Sequence, residues 1–307
     1  MSKMVKGVPA VLKQKISLIL SSIVALALLV LLFRKVDIDT FWATIQSSMT
    51  GMKLVGLVVC SYLYVAIQGL RFSILYPGHA NLAQHIGLNF GNHTGNILVP
   101  GRMGEAIRPL YMKRWWPQTR LKDVITWALF EKFAEFGSMV LFLATGLILW
   151  GTQKDAVRVL PENLPWVLSI VAATLLSAAL MRRRRMPIMK RSEKLAWALV
   201  LSYLTWVVNT LGVLSVTGDL RMAYALLVTM TLASAVPMLP AGLGATQWAV
   251  VALSSFMHLA EGEALAYSSA LHLIWIFVRL SVGFPLLVFV WGWPKTREME
   301  LVKKNEI

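Results

Sequence analysis

Six apolar runs, at about 16–33, 54–76, 124–150, 166–181, 195–216 and 264–291, dominate the sequence. Most approach or exceed the ~20 residues that a helix needs to cross the hydrocarbon core of a bilayer. A chain built this way cannot wrap itself around one water-soluble core. Hydrophobic residues make up 57% of the 307 and charged residues only 15%, against about 25% charged in soluble domains. Too little polar surface remains to coat a soluble globule of this size. The expected fold is therefore an all-α polytopic membrane protein: a single membrane domain over 1–307 that ends in a short charged tail at 292–307. The first run follows Lys3, Lys6, Lys13 and Lys15 but is long and lacks a small-residue cleavage site, so it reads as an uncleaved first span. The one cysteine, Cys60, lies inside a run, which excludes a disulfide framework.

Two further apolar regions are broken by proline and glycine. One covers roughly 82–118 and is interrupted at Val99-Pro100-Gly101-Arg102-Met103-Gly104; the other covers 223–259 and is interrupted at Leu239-Pro240-Ala241-Gly242-Leu243-Gly244. The prolines are 140 residues apart, and the same offset carries the second span onto the fifth and the third onto the sixth. The chain thus reads as two copies of one unit, span, span, broken pair, span, with a first repeat over 16–150 and a second over 166–291. Charge then sets orientation. With the N-terminus in the cytoplasm and each broken pair entering and leaving on one side, 19 basic residues fall in cytoplasmic segments and 6 in outer loops. That is the bias of the positive-inside rule. A full crossing of the first broken pair would put the cluster Arg182 to Arg185 outside. Each repeat then crosses the membrane an odd number of times, so the second copy is inverted. The expectation is about six transmembrane helices plus two re-entrant helix pairs in an inverted repeat, with both termini cytoplasmic. Broken helices at matching positions of inverted repeats point to a transporter's binding site; membrane helices also tolerate Pro and Gly for packing alone.

The formal net charge of +15 would suggest nucleic acid in a soluble protein. Here the basic residues sit in short loops, where they meet anionic lipid headgroups, and no soluble domain remains to carry a nucleic acid. Membrane lipids are the expected partners.

Several polar residues lie where lipid could not satisfy them. His85, Asn89, Asn92, His93 and Asn96 share one helical face of the first broken region. Such a stripe lines a watery cavity or bonds neighbouring helices. His85 and His93 without a carboxylate partner are a poor match to metal-ligand spacing, so no metal or other cofactor is expected. Beyond Pro100, a second half-helix starting near Arg102 would offer unpaired N–H groups and the positive end of its dipole. Gly101, Arg102, Gly104, Glu105 and Arg108, with Asn92 and Asn96, form the candidate grip on a phosphorylated headgroup, since arginine matches phosphate with forked donors. The second break contributes Gly242, Gly244 and Gln247 but no charge. Glu131, Lys132 and Glu135 in the third span, Arg71 in the second and Arg279 in the sixth are costly in lipid and are expected to pair within the bundle.

The blocks Asn96-Ile-Leu-Val-Pro-Gly-Arg-Met-Gly-Glu-Ala-Ile-Arg108, Glu131-Lys132 and Pro237-Met-Leu-Pro-Ala-Gly-Leu-Gly244 resemble the flippase-like transmembrane domain of bacterial lysylphosphatidylglycerol synthases and of stand-alone membrane proteins like it. The resemblance covers nearly the whole chain, and Arg71 falls where that family often has an arginine. It implies an inner-membrane protein that moves lipids or lipid-linked groups between leaflets. Two features depart from the pattern. Ala241 replaces a glycine, and Gln247 stands near a position the family commonly fills with glutamate, which puts a shared carboxylate-dependent step in doubt. No soluble aminoacyl-transferase domain follows Trp293, so aminoacylation of lipids is not expected.

The first functional reading is a lipid translocase, with protons or ions as candidate coupling species; no nucleotide-binding motif is present. A membrane phosphatase acting on lipid-linked phosphates is the enzymatic alternative, but no serine follows Pro100-Gly101 as a nucleophile, so no catalytic residue is assigned. A non-catalytic accessory subunit of a lipid-modifying complex is the third. Oligomeric state is open.

Overall fold

The computed structural model describes residues 27, 30–34, 36–76, 81–98, 103–116, 120–151, 191–234 and 242–290. Most of the first run, all of the fourth run, the tail at 292–307, the segment Pro100-Gly101-Arg102, and Pro240-Ala241 lie outside the described residues. Every regular element among those described is helical: α1 (Ile38–Ser48), α2 (Gly51–Leu75), α3 (Leu82–Leu98), α4 (Ile107–Trp115), α5 (Leu121–Gly151), α6 (Arg191–Thr217), α7 (Leu220–Ser234), α8 (Ala245–Ala252) and α9 (Glu261–Pro285). A π-helical turn at Leu286–Val290 continues α9.

Among the described residues, three helices are long and apolar enough to cross a membrane, Gly51–Leu75, Glu193–Thr217 and Glu261–Val290. They coincide with the second, fifth and sixth runs. Helix α5, with 31 residues, is about 46 Å long at ~1.5 Å per residue but carries Glu131, Lys132 and Glu135 near its middle. Its outer face exposes Leu129, Phe133, Phe136 and Val140, and α9 exposes Leu273, Phe277 and Phe284. Such stripes would be a liability in water and are satisfied by lipid tails. The chain is a multi-pass membrane protein whose described regular elements are all helical.

Helix starts recur at nearly one spacing. The start of α6 lies 140 residues after that of α2, α7 138 after α3, α8 138 after α4, and α9 140 after α5. Small residues let these helices approach, as membrane packing requires in the absence of a hydrophobic force between helices. Helices α2 and α6 lie side by side, and a Cβ added to Gly212 would come 2.8 Å from the Cβ of Cys60. One added to Gly69 would lie 2.5 Å from the Cα of Ile86, so α2 and α3 touch backbone to side. On the other flank of α3, Gly283 of α9 presses on the Phe90 carbonyl and the Thr94 hydroxyl. Helix α3 is thereby wedged between α2 and α9.

The second arm of the first broken region folds back onto α3. It starts as a 3-10 turn, Met103–Ala106, and α-helical winding begins at Ile107, later than a start near Arg102. The reason is steric: Gly104 packs directly on the backbone of α3 at Asn92 and Asn96, where no Cβ fits. Pro109 sits in the first turn of α4, where its missing N–H costs nothing. Ile107, Tyr111 and Met112 then join Phe72, Leu88, Val124 and Leu287 in one apolar cluster, which locks α4 against α2, α3 and α5.

Helix α1 falls in what the sequence reads as an outer loop. Asp37 caps it by accepting from the N–H groups of Asp39 and Thr40, and the Thr40 hydroxyl holds the Asp37 carboxyl below its usual range. Ser48 bonds Tyr267 at 2.8 Å, tying α1 to α9.

The close approach at Gly69 is a test of this packing. Gly69→Ala is expected to lower stability by about 1–3 kcal/mol, the usual cost of overpacking, because its Cβ meets backbone. Gly137→Ala meets only the flexible tip of Leu199 at 3.3 Å and should unfold within a few degrees of the parent in a thermal melt of the detergent-solubilised protein.

Candidate functional site

Arg71 lies near the C-terminal end of α2 and is fully buried. Its Nε donates to Glu131 Oε1 at 3.1 Å and its Nη2 to the same oxygen at 2.6 Å. Nη2 also reaches Glu135 Oε1 at 2.5 Å, and Nη1 donates to Ser202 Oγ of α6 at 2.7 Å. The other carboxylate oxygen of Glu131 accepts from Arg108 Nη1, while Arg108 Nη2 donates to Asn89 Oδ1. The Arg108 guanidinium also lies 4.6 Å from the centre of the Phe72 ring, a cation–π contact that counts for more away from water. Glu131, wholly buried on α5, is thus shared by an arginine from α2 and one from α4.

The cluster continues to a partly exposed rim. Lys132 Nζ lies 3.0 Å from Glu135 Oε2 and 3.2 Å from Glu105 Oε1, so Glu105 pairs with a lysine. Three cations (Arg71, Arg108, Lys132) face three carboxylates (Glu105, Glu131, Glu135). The cluster is formally neutral, as a buried ionic group must be to survive desolvation. Arg279 stands apart from it: none of the ion pairs among the described residues includes Arg279.

Polar residues of α3 extend the network inward. Asn89 Nδ2 donates to the Val65 carbonyl and to Gln68 Oε1, both at 3.0 Å, and His93 Nε2 meets the same Gln68 oxygen at 2.6 Å. His85 packs edge-on to Phe72 with ring centres 5.6 Å apart. Asn96 turns its amide oxygen toward Gly104, whereas Asn92 meets that glycine through its backbone carbonyl, and the amide oxygens of both are buried with no hydrogen-bond partner among the described residues. Gln68 and Ser202 were not among the residues singled out from the sequence. Gln68 carried a usable signal, since it is polar, mid-span and one turn before Arg71. A lone serine on α6 carried none.

The second break is built differently. Gly242 and Gly244 adopt φ of +75° and +85°, a backbone conformation that glycine enters without a Cβ clash. Gln247 Oε1 accepts the Gly244 N–H at 2.9 Å, Thr246 donates to the Gly242 carbonyl at 2.6 Å, and Gln247 Nε2 lies 3.3 Å from His272 Nδ1. These neutral side chains serve as caps and hold the turn. Gly101 and Arg102 lie outside the described residues, which resume after the first break at Met103.

Residues 18–283 match the lysylphosphatidylglycerol synthase TM region. This span is most of the chain, and the protein belongs to that family, which ties it to lipid-related work in the membrane. Neither a curated protein nor a solved structure matches it.

Removing the shared carboxylate should be severe. Glu131→Gln leaves Arg71 and Arg108 short of a counter-charge in a buried site, a change that typically costs about 3–5 kcal/mol. Arg71→Met alone is expected to cost a similar amount, and the double variant less than the two combined. A double-mutant cycle read by SDS unfolding checks this; strict additivity would show that the two groups do not interact.

Proposed function

We propose that this protein is a lipid translocase of the inner membrane, carrying a phospholipid or lipid-linked phosphorylated group between leaflets. The observation that carries the reading is the pair of broken helices at equivalent places in two similarly ordered halves, α3 with α4 and α7 with α8, one of them anchored by a buried ionic cluster. Irregular backbone at membrane depth is tolerated only where protein or a water-filled cavity covers it, and paired breaks of this kind hold substrate in transporters. In this reading the two halves are inverted repeats with re-entrant arms, both termini are cytoplasmic, and the halves rock about the midplane while the acyl or prenyl tails stay in lipid.

The roles of the charged residues divide accordingly. Arg108 is occupied by Glu131 and Asn89, so it positions the turn that precedes it; Gly101 and Arg102, which come just before that turn in the sequence, are the groups left to meet a headgroup. Glu105 and Glu135, on the partly exposed rim with Lys132, are where a coupling proton or ion would enter. The chain acts as a carrier in this reading, without a catalytic step.

Reconstitution in liposomes with a labelled phospholipid or prenyl phosphate tests transport directly. Leaflet exchange is expected, and Arg102→Ala and Arg108→Ala should each reduce it at least tenfold. Phosphate release without exchange would overturn the proposal in favour of a phosphatase, and neither activity would favour an accessory subunit. Orientation is checked separately by single-cysteine labelling in a Cys60→Ser background. Arg120→Cys, on an exposed residue, should react only from the cytoplasmic side, and exposed Lys53→Cys only from outside.

A further inference from the structure

A second polar site lies where α2, α6 and α9 meet. Ser61, Tyr64 and Val65 of α2, Asn209 of α6, and Trp275, Val278 and Arg279 of α9 line a narrow, partly open cleft. The lining is rich in unused donors. Arg279 forms no ion pair with any described residue. Its backbone is fixed, since the Arg279 carbonyl accepts from the Thr94 hydroxyl at 2.9 Å. One turn earlier on the same helix, the indole Nε1–H of Trp275 is buried without a hydrogen-bond partner among the described residues. Asn209 is only 9% exposed, and its amide bonds no described residue. Tyr64 meets the His93 ring at 6.2 Å between centres but gives its hydroxyl to no described residue.

An uncompensated guanidinium within a membrane bundle is expensive, and so is each buried donor left unpaired. The contrast with Arg71 and Arg108 is direct, since both of those spend their charge on Glu131. A site that offers a forked cation, an indole N–H, a phenol and an amide, with no carboxylate, is complementary to an oxyanion and repels cations. We propose that this cleft is an anion-binding site that seats a phosphate group, with Arg279 as its principal ligand and Trp275, Asn209 and Tyr64 as additional donors. The phosphate has two sources of the same chemistry, a phospholipid headgroup or free inorganic phosphate. The choice of the lipid headgroup rests on the lipid-carrier reading; the anion site itself does not.

The test is ligand-dependent thermal stabilisation of the purified full-length chain in a neutral detergent, titrated separately with a short-chain phosphatidylglycerol and with inorganic phosphate. Saturable stabilisation is expected. Arg279→Gln should weaken the apparent affinity at least tenfold, Arg279→Lys less, and Trp275→Phe, which removes only the indole donor, several-fold. Arg120→Gln, on an exposed arginine, should leave affinity unchanged, which separates a site from a general charge effect. Stabilisation by inorganic phosphate identifies a free-anion site; stabilisation by the lipid alone identifies a headgroup site. Equal affinity of the parent and the folded Arg279→Gln and Trp275→Phe variants for both probes would overturn the proposal, as would no stabilisation of the parent by either. Binding is read without transport, so failure of leaflet exchange leaves this result intact, and loss of this site would not by itself exclude exchange.

Discussion

Glu131 sits with Arg71 on one side of its carboxylate and Arg108 on the other, and the arrangement of the first half depends on that three-way contact. None of these groups is tolerable alone in a bilayer, because neither lipid nor packed side chains can replace the water each would lose. Each therefore brings its own element with it: Arg71 carries α2, Glu131 carries α5, and Arg108 carries α4. Ser202 adds α6 through its hydroxyl, and Asn89 adds α3. The cluster is an electrostatic clasp on five helices rather than a cheap source of stability. A hydrophobic replacement of the whole set could pack as well, so what the charges contribute is a defined arrangement.

That clasp closes only because the surrounding packing is unusually tight. Gly104 lets the 3-10 turn lie on the backbone of α3, and Gly69 and Gly283 let α2 and α9 grip α3 from either side. A side chain at any of these points would hold the helices apart and move Arg108 out of reach of Glu131. Sub-ångström steric tolerance and a buried ion cluster are in this sense one feature, since salt-bridge geometry is set by how closely the helices can approach.

The halves share an order of elements but divide the chemistry unequally. The first break is bound to a neutral cluster of six charges, whereas the second is held by glycines in positive-φ conformations and by the amide of Gln247. Arg279, in the last helix, belongs to neither break and faces a separate cleft. A carrier assembled this way would have one firmly clasped half and one half held by neutral hydrogen bonds, with an arginine outside any ion pair among the described residues on the last helix.

Much of the architecture was legible in the sequence. Apolar length identified α2, α6 and α9 as crossing helices, because lipid admits only backbone that satisfies itself. The 140-residue spacing and the proline–glycine breaks marked where α3 stops and where α8 begins, and the misplaced charges Arg71, Glu131 and Glu135 announced that they must pair. Helix α1 was not read, although Asp37 at its cap and the Ile38, Phe41, Ile45 period were there to be used. What the sequence left open was the choice of partner. Arg108 and Arg279 look alike in one dimension, each an arginine in an apolar stretch. Only the close approach of α4 to α3 and α5 gives the first to Glu131, while the position of Arg279 along α9 puts no described carboxylate within salt-bridge reach of it. Hydrophobicity and charge are properties of residues and survive in the sequence. Which charge meets which is decided by helix contacts a fraction of an ångström wide, and these exist only in the folded chain.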